Sequence, residues 1–205
     1  MRTLIAAAMV SLDGIIQAPG GPDEDRSGGF AHGGWVWPYA DDDEAMDGLF
    51  ADPFALVLGR RTYDIFAGYW PHVPSDAPHG HIADAFNAAT KHVATHHADT
   101  LDWAHSHALG ADVVAALRRL KRDDGPDLVT QGSSDLLHQL LATDLVDELR
   151  LLVYPVLLGR GKRLFDDGTQ ASAFRLMASR TTQAGVLVAR YVRDGDVRTG
   201  SFAAG

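Results

Sequence analysis

The stretch LVLGRRTYDIF, residues 56–66, runs from an apolar segment into a glycine, two arginines and a threonine, with Tyr63 and Phe66 just behind. The run from Ala55 to Leu58 reads as a buried strand, and Gly59 reads as the turn that ends it. A helix starting near Arg61 or Thr62 would present free backbone N–H groups and the positive end of its dipole at that turn. Cationic side chains oppose such a dipole, so two arginines there call for an anionic partner. A guanidinium matches phosphate oxygens as a planar fork, and a threonine hydroxyl can bond a second phosphate. The plainer alternative is a helix N-terminus whose arginines face water.

Working outward, the same strand–turn–helix grammar recurs. LVTQGSSDLL, residues 128–137, passes from a strand through Gly132 into Ser133 and Ser134, which serve equally as helix caps or as hydroxyl donors to a ligand. Thr95-His96 follows a third apolar run. The strands expected are Thr3–Val10, Phe54–Leu58, His92–Thr95, Asp127–Gln131, Glu148–Leu157, Phe174–Thr181 and Val186–Val192. Helices are expected over Val113–Arg122, with Asp112 as cap, from Ser133 or Ser134 onward, and more weakly over 81–90 and 44–51. Strand–helix alternation implies a mostly parallel α/β sheet, whose ligands sit at the carboxyl edge. The last two strands, joined through Gln183-Ala184-Gly185, read as an antiparallel hairpin at one side. Three such turns would line one rim on which an extended polyanion could lie. No G-x-G-x-x-G is present, so the standard dinucleotide fingerprint is absent.

Composition limits the alternatives. The 205 residues carry a formal charge of −9, against a nucleic-acid or anionic-membrane surface. Residues 1–100 hold five Lys/Arg against fourteen Asp/Glu, so Arg60 and Arg61 stand out locally. The chain has no cysteine, which removes disulfides and thiolate chemistry. The ten histidines form no ligand set of the H-E-x-x-H kind, so no metal is expected. The apolar run Leu4–Val10 reads as a buried strand rather than a leader, and a cytoplasmic protein is expected. One domain over 1–194 is expected, with a loop insertion at 17–39 and a flexible tail at 195–205. The insertion is rich in Gly, Pro and acids and ends in Trp35, Trp37 and Tyr39. Those aromatics are either anchors for a surface loop or a lid that stacks on a flat ligand.

These features together resemble the dihydrofolate reductase-like family, and most closely its branch related to the reductase domain of riboflavin biosynthesis. The resemblance rests on AAAMVSLDGIIQAPGG, LVLGRRTYDIF, LVTQGSSDLLHQLL and ELRLLVYPVLLGRGKRLF, in order between positions 5 and 165. It implies a three-layer α/β fold with helices on both faces of the sheet, NADPH as cofactor, and a homodimer. Carried over by position, Arg60 beside Gly59 would meet the adenosine 2′-phosphate and Thr62 the pyrophosphate. Thr95 would lie at the adenosine end, Gly132, Ser133 and Ser134 under the pyrophosphate, and Ala7 and Gly14 near the nicotinamide. The chain departs from the family's double glycine at Gln131-Gly132.

The resemblance leaves the chemistry of the acceptor open. Asp43, within the acidic run Asp41–Glu44, stands where folate reductases keep a carboxylate, but such a run also complements a helix dipole. Asp13 is the other candidate acid, with an Asp-Gly turn as its alternative. Arg160, Lys162 and Arg163 form either a phosphate-binding loop or a solvated turn balanced by Asp166 and Asp167. The function expected is reduction of a small heterocyclic substrate of pterin, pyrimidine or riboflavin-precursor type. The rival is a non-catalytic nucleotide-binding protein that kept the cofactor rim.

Overall fold

The computed structural model describes residues 1–40, 43–50 and 53–202. Strands β1 (Leu4–Ser11), β2 (Phe54–Gly59), β3 (Lys91–Ala94), β4 (Ser106–Ala108), β5 (Asp127–Gln131), β6 (Glu148–Tyr154), β7 (Phe174–Thr181) and β8 (Leu187–Arg193) form one sheet. Its spatial order is β4-β3-β2-β5-β1-β6-β8-β7. The six strands from β4 to β6 run parallel, and β8 and β7 close the sheet antiparallel. Helices α1 (Asp43–Phe50), α2 (Arg60–Ala67), α3 (Gly80–Ala88), α4 (Val113–Arg122) and α5 (Ser134–Ala142) cover the two faces. This is the expected α/β architecture.

The two cores follow from the alternation of side chains along each strand. In β1, Ile5 and Ala7 face one way and pack with Leu49 of α1, Tyr63 of α2 and Phe86 of α3. Leu4, Ala6, Ala8 and Val10 face the other way, against Leu117 of α4 and Leu137 and Leu140 of α5. Because both faces of β1 are covered, its sequence is a continuous apolar run, as parallel strands require. Asp112 caps α4 as expected, its carboxylate accepting from Ala115 N at 2.9 Å. Among the described residues no helix is long and apolar enough to cross a membrane.

Three details differ from expectation. Strand β4 was not expected, because its three residues are too few and too polar to show a pattern. β3 begins at Lys91, a lysine that is fully buried. Its ammonium donates to the carbonyls of Asn87 (2.8 Å) and Ala104 (2.9 Å) and sits 4.3 Å from the Trp103 ring centroid. Burial pulls its pKa down to about 8. The strand expected over Glu148–Leu157 ends at Tyr154.

The seam between the parallel and antiparallel parts carries a charge cluster around a buried carboxylate. Arg150 and Arg190 are cross-strand neighbours, a repulsive pairing that Glu148 neutralises. Glu148 accepts from Arg150 Nε at 2.7 Å and from Arg190 Nε and Nη2 at 2.8 Å each. Burial works to raise its pKa, but the bonds from Arg190 and Arg150 outweigh that and hold it below the usual value. A depressed carboxyl stabilises the fold above its unfolded pKa, and that contribution is lost as the pH falls toward the folded one. Glu148→Gln removes the carboxylate that both guanidinium groups bond, with Arg150 buried beside it, and should cost about 2 kcal/mol. Urea denaturation at pH 7 measures the loss, and the gap between variant and wild type should narrow below about pH 4.

Candidate functional site

At the carboxyl edge of the parallel strands lies a cavity of about 550 Å³. Its floor includes Ala8 and Met9 of β1 and Gln131 of β5; one rim is Gly59–Thr62 with Ile65 and Phe66, continued by Thr95, His96 and Gly132–Leu136. The opposite wall is Ile16–Pro19 with Glu24, Asp25 and Lys162. The structure thus brings Gly59, Arg60, Thr62, Thr95, Gly132, Ser133 and Ser134 to one cavity.

One hydroxyl joins two of these turns. Ser133 Oγ accepts from Gly59 N at 3.0 Å and donates to Thr62 Oγ1 at 2.8 Å. Ser133 lies in the left-handed region (φ +59°), and its side chain bonds the neighbouring turn after β2 instead of its own helix. The approach is close: a Cβ on Gly59 would stand 3.3 Å from Ser133 Cβ, so only glycine fits without displacement. Diverting Ser133 leaves α5 without a side-chain cap, and α2, which follows Gly59, has none either. Two helix N-termini with open N–H groups therefore face one cavity, a cradle for an anion. The start of α4 also reaches the cavity, at Gly110, Ala111 and Val113, but its first turn is already capped by Asp112.

The two arginines part company. Arg60 Nε bonds Asp64 at 2.9 and 3.1 Å, while its Nη1 reaches Thr100 and the carbonyl of His97 beyond β3. Arg61 turns the other way, to Asp25 at 2.8 Å. Gln131 also faces the cavity: its Oε1 is buried and has no hydrogen-bond partner among the described residues. A buried acceptor without a donor is costly, and a ligand N–H would relieve it.

Other expected site residues stand outside the lining. Ala7 is fully buried one residue before Ala8, and Gly14 lies in the turn after β1 with φ +84°. Asp13 closes that same turn, accepting from Ser11 Oγ (2.6 Å), Leu158 N (3.2 Å) and Gly159 N (2.7 Å). Slight burial acts to raise its pKa, yet these bonds hold it below the ordinary value, so it sits ionised in a structural role. Asp43 starts α1, but its side chain falls outside the described residues, as do Asp41 and Asp42. Trp37 is 81% exposed, whereas Trp35 is 7% exposed and packs edge-on against Tyr154. Trp35 Nε1 donates to the carbonyl of Gln17 at 2.8 Å, which makes it an anchor of the 17–39 segment rather than a ring open to a ligand.

The wall of Gln17, Glu24, Asp25 and Lys162 had no signal in the sequence as a unit, because it is assembled by contacts about 140 residues apart. Gln17 donates to the carbonyls of Asp25 (3.1 Å) and Ser27 (3.0 Å) and accepts from Lys162 N (2.9 Å). Burial raises the pKa of Glu24, whose Oε2 accepts from Gly20 N (2.7 Å) and Gly21 N (3.2 Å).

This fold is that of the dihydrofolate reductases. A structure of dihydrofolate reductase from Enterococcus faecalis, complexed with NADP(H) and RAB-propyl, superposes with a TM-score of 0.52 at 14% identity, covering 94% of this chain and 96% of that one. A protein of Shewanella sp. PV-4 assigned to riboflavin biosynthesis superposes with a TM-score of 0.62 at 19% identity, over 94% and 99% of the two chains. More narrowly, the chain belongs to the RibD C-terminal domain family, whose model matches residues 2–188. The uncharacterized protein YyaP of Bacillus subtilis (strain 168) is 24% identical over 186 residues, 91% of this chain and 92% of that protein.

The two tryptophans make a clean test of the wall. Trp35→Phe forfeits a buried hydrogen bond and should lower stability by about 1–2 kcal/mol, while Trp37→Ala should change it by less than about 0.5 kcal/mol. Thermal denaturation of the two variants beside wild type measures both.

Proposed function

We propose that this protein is an NADPH-dependent reductase acting on a small heterocyclic substrate. Membership of the RibD C-terminal family and the dihydrofolate reductase-like fold support a reductase role. The observation that carries the cofactor is the pair of uncapped helix N-termini at Gly59 and Ser133, held together over one cavity by the Ser133 hydroxyl. In this reading the amides at the starts of α2 and α5, with Thr62 and Ser134, hold the pyrophosphate. Arg60 holds the adenosine 2′-phosphate beside Thr95. Gln131 offers its free carbonyl to an N–H of the flat end of cofactor or substrate. NADPH, when bound, supplies the hydride. The protein's share is to fix both rings in line and to exclude water between them.

No proton donor is assigned from Asp13, whose carboxylate is committed to its turn. Gln131, whose buried side-chain oxygen on the cavity floor has no hydrogen-bond partner among the described residues, favours an enzyme over a protein that keeps only the phosphate rim. A substrate panel followed at the nicotinamide absorbance separates those two readings: turnover of any heterocycle supports the enzyme, and NADPH binding without turnover supports the rival.

Cofactor choice is the sharper test. Arg60→Ala should weaken NADPH binding by about 10- to 150-fold, the worth of a charge-assisted hydrogen bond, and barely change NADH binding. Arg61→Ala, whose guanidinium is already engaged by Asp25, should cost far less. Titration of both variants and wild type with both cofactors decides the point. Equal losses for NADPH and NADH in Arg60→Ala would make this arginine a support of the fold alone.

We also propose that two copies pair through the β7–β8 side of the sheet. β7 is an edge strand exposed along almost its whole length, with Leu176 and Met177 about half open to solvent. An edge of that kind invites pairing unless it is covered. Light scattering should give twice the 22.0 kDa chain mass, and Leu176→Glu should return the monomer.

A further inference from the structure

The cleft's two sides are joined across the opening by side chains. Arg61, from the N-terminus of α2, reaches Asp25 on the opposite wall at 2.8 Å, and both residues line the cavity. The two ends of this bridge are built differently. Asp25 is fixed: its side chain is 10% exposed, its Oδ1 accepts from Ser27 N at 2.9 Å and its Oδ2 from Lys162 Nζ at 2.9 Å. The wall behind it is pinned through Gln17 and Trp35. Arg61 is loose: its side chain is 54% exposed, and Asp25 is its ion-pair partner, with the charge of Glu24 also acting on it. It also sits at a helix N-terminus, where a cation is disfavoured by the dipole. When the bridge opens, Asp25 keeps Lys162 and Ser27, and the wall need not move.

We propose that the Arg61–Asp25 ion pair is a side-chain gate across this cleft, through which a phosphorylated ligand enters and leaves only when Arg61 swings away. The proposal rests on the reading of the cavity as a phosphate-bearing ligand's site. It assigns Arg61 control of exchange rates, distinct from the affinity carried by Arg60. The gate responds to salt. Burial tends to raise the Asp25 pKa, but the bonds from Ser27 and Lys162 bring it down to about 2, so the carboxylate stays charged throughout the neutral range. Ions that screen a half-exposed pair open it more often.

Two measurements test the gate. In stopped-flow fluorescence, Arg61→Gln should raise the association and dissociation rates of NADPH together by about fivefold, the factor that an ion pair near 1 kcal/mol holds closed, with its dissociation constant changed less than about twofold. A loss of affinity without faster association would make Arg61 a binding group and overturn the gate. The second measurement needs no nucleotide. The chain has no cysteine, so Met9→Cys places a single thiol on the cavity floor. Adding Arg61→Gln to that variant should speed its labelling by a bulky neutral maleimide about fivefold, with circular dichroism confirming that both variants are folded. Equal labelling rates would show that the pair does not obstruct the cleft. If NADPH fails to bind wild type, the proposed cofactor falls, and the labelling still decides the gate.

Discussion

The site depends on one hydroxyl. Ser133 Oγ, held between Gly59 N and Thr62 Oγ1, locks the turn after β2 to the turn after β5. These strands are neighbours in the sheet, but paired residues such as Phe54 and Asp127 are 73 apart in sequence, so no local preference could set their turns in register. The bond demands a residue in the left-handed region at 133 and no side chain at 59. Both requirements oppose ordinary stability. A non-glycine residue at positive φ is strained, and a serine beside a helix start would otherwise cap it.

What that arrangement yields is unsatisfied polarity directed at a cavity. Among the described residues the first amides of α2 and α5 lack side-chain caps and Gln131 Oε1 lacks a donor, while Arg60 stands at the end of the rim among Asp64, His97 and Thr100. On the far wall the charges are already matched, Asp25 with Arg61 and Lys162. The cavity is thus polarised, with uncapped helix amides on the rim and ion pairs closed on the wall. An extended anion with a flat, hydrogen-bonding end satisfies the rim without disturbing the wall.

The sequence made the frame legible where the cause was local. Apolar runs bounded by glycine or charge located β2 and β5 within a residue, Asp112 announced α4, and Gln183-Ala184-Gly185 announced the hairpin. It failed where the cause was distant. Lys91 looks like a surface residue until Asn87, Ala104 and Trp103 surround its ammonium. Trp35 and Trp37 are indistinguishable as a motif, yet one is buried against Tyr154 and the other lies in solvent. The candidate rim was readable because the junctions after β2 and β5 share one strand–turn–helix grammar; β3, expected to follow it, runs through a short 3-10 turn into β4 instead. The wall was not, because Gln17 meets Lys162 only after the whole sheet has formed.

The central claim is that this rim binds a dinucleotide through its phosphates, with the 2′-phosphate at Arg60. The most direct measurement is a heteronuclear NMR titration of the protein with adenosine 2′,5′-bisphosphate, the adenosine end of that cofactor without its nicotinamide. The account predicts saturable shifts at the amides of Arg60–Thr62 and Thr95-His96, weaker ones at Gly132–Ser134, and none on β7 or β8. Saturable shifts confined to another surface, or no shifts at millimolar ligand, would contradict it.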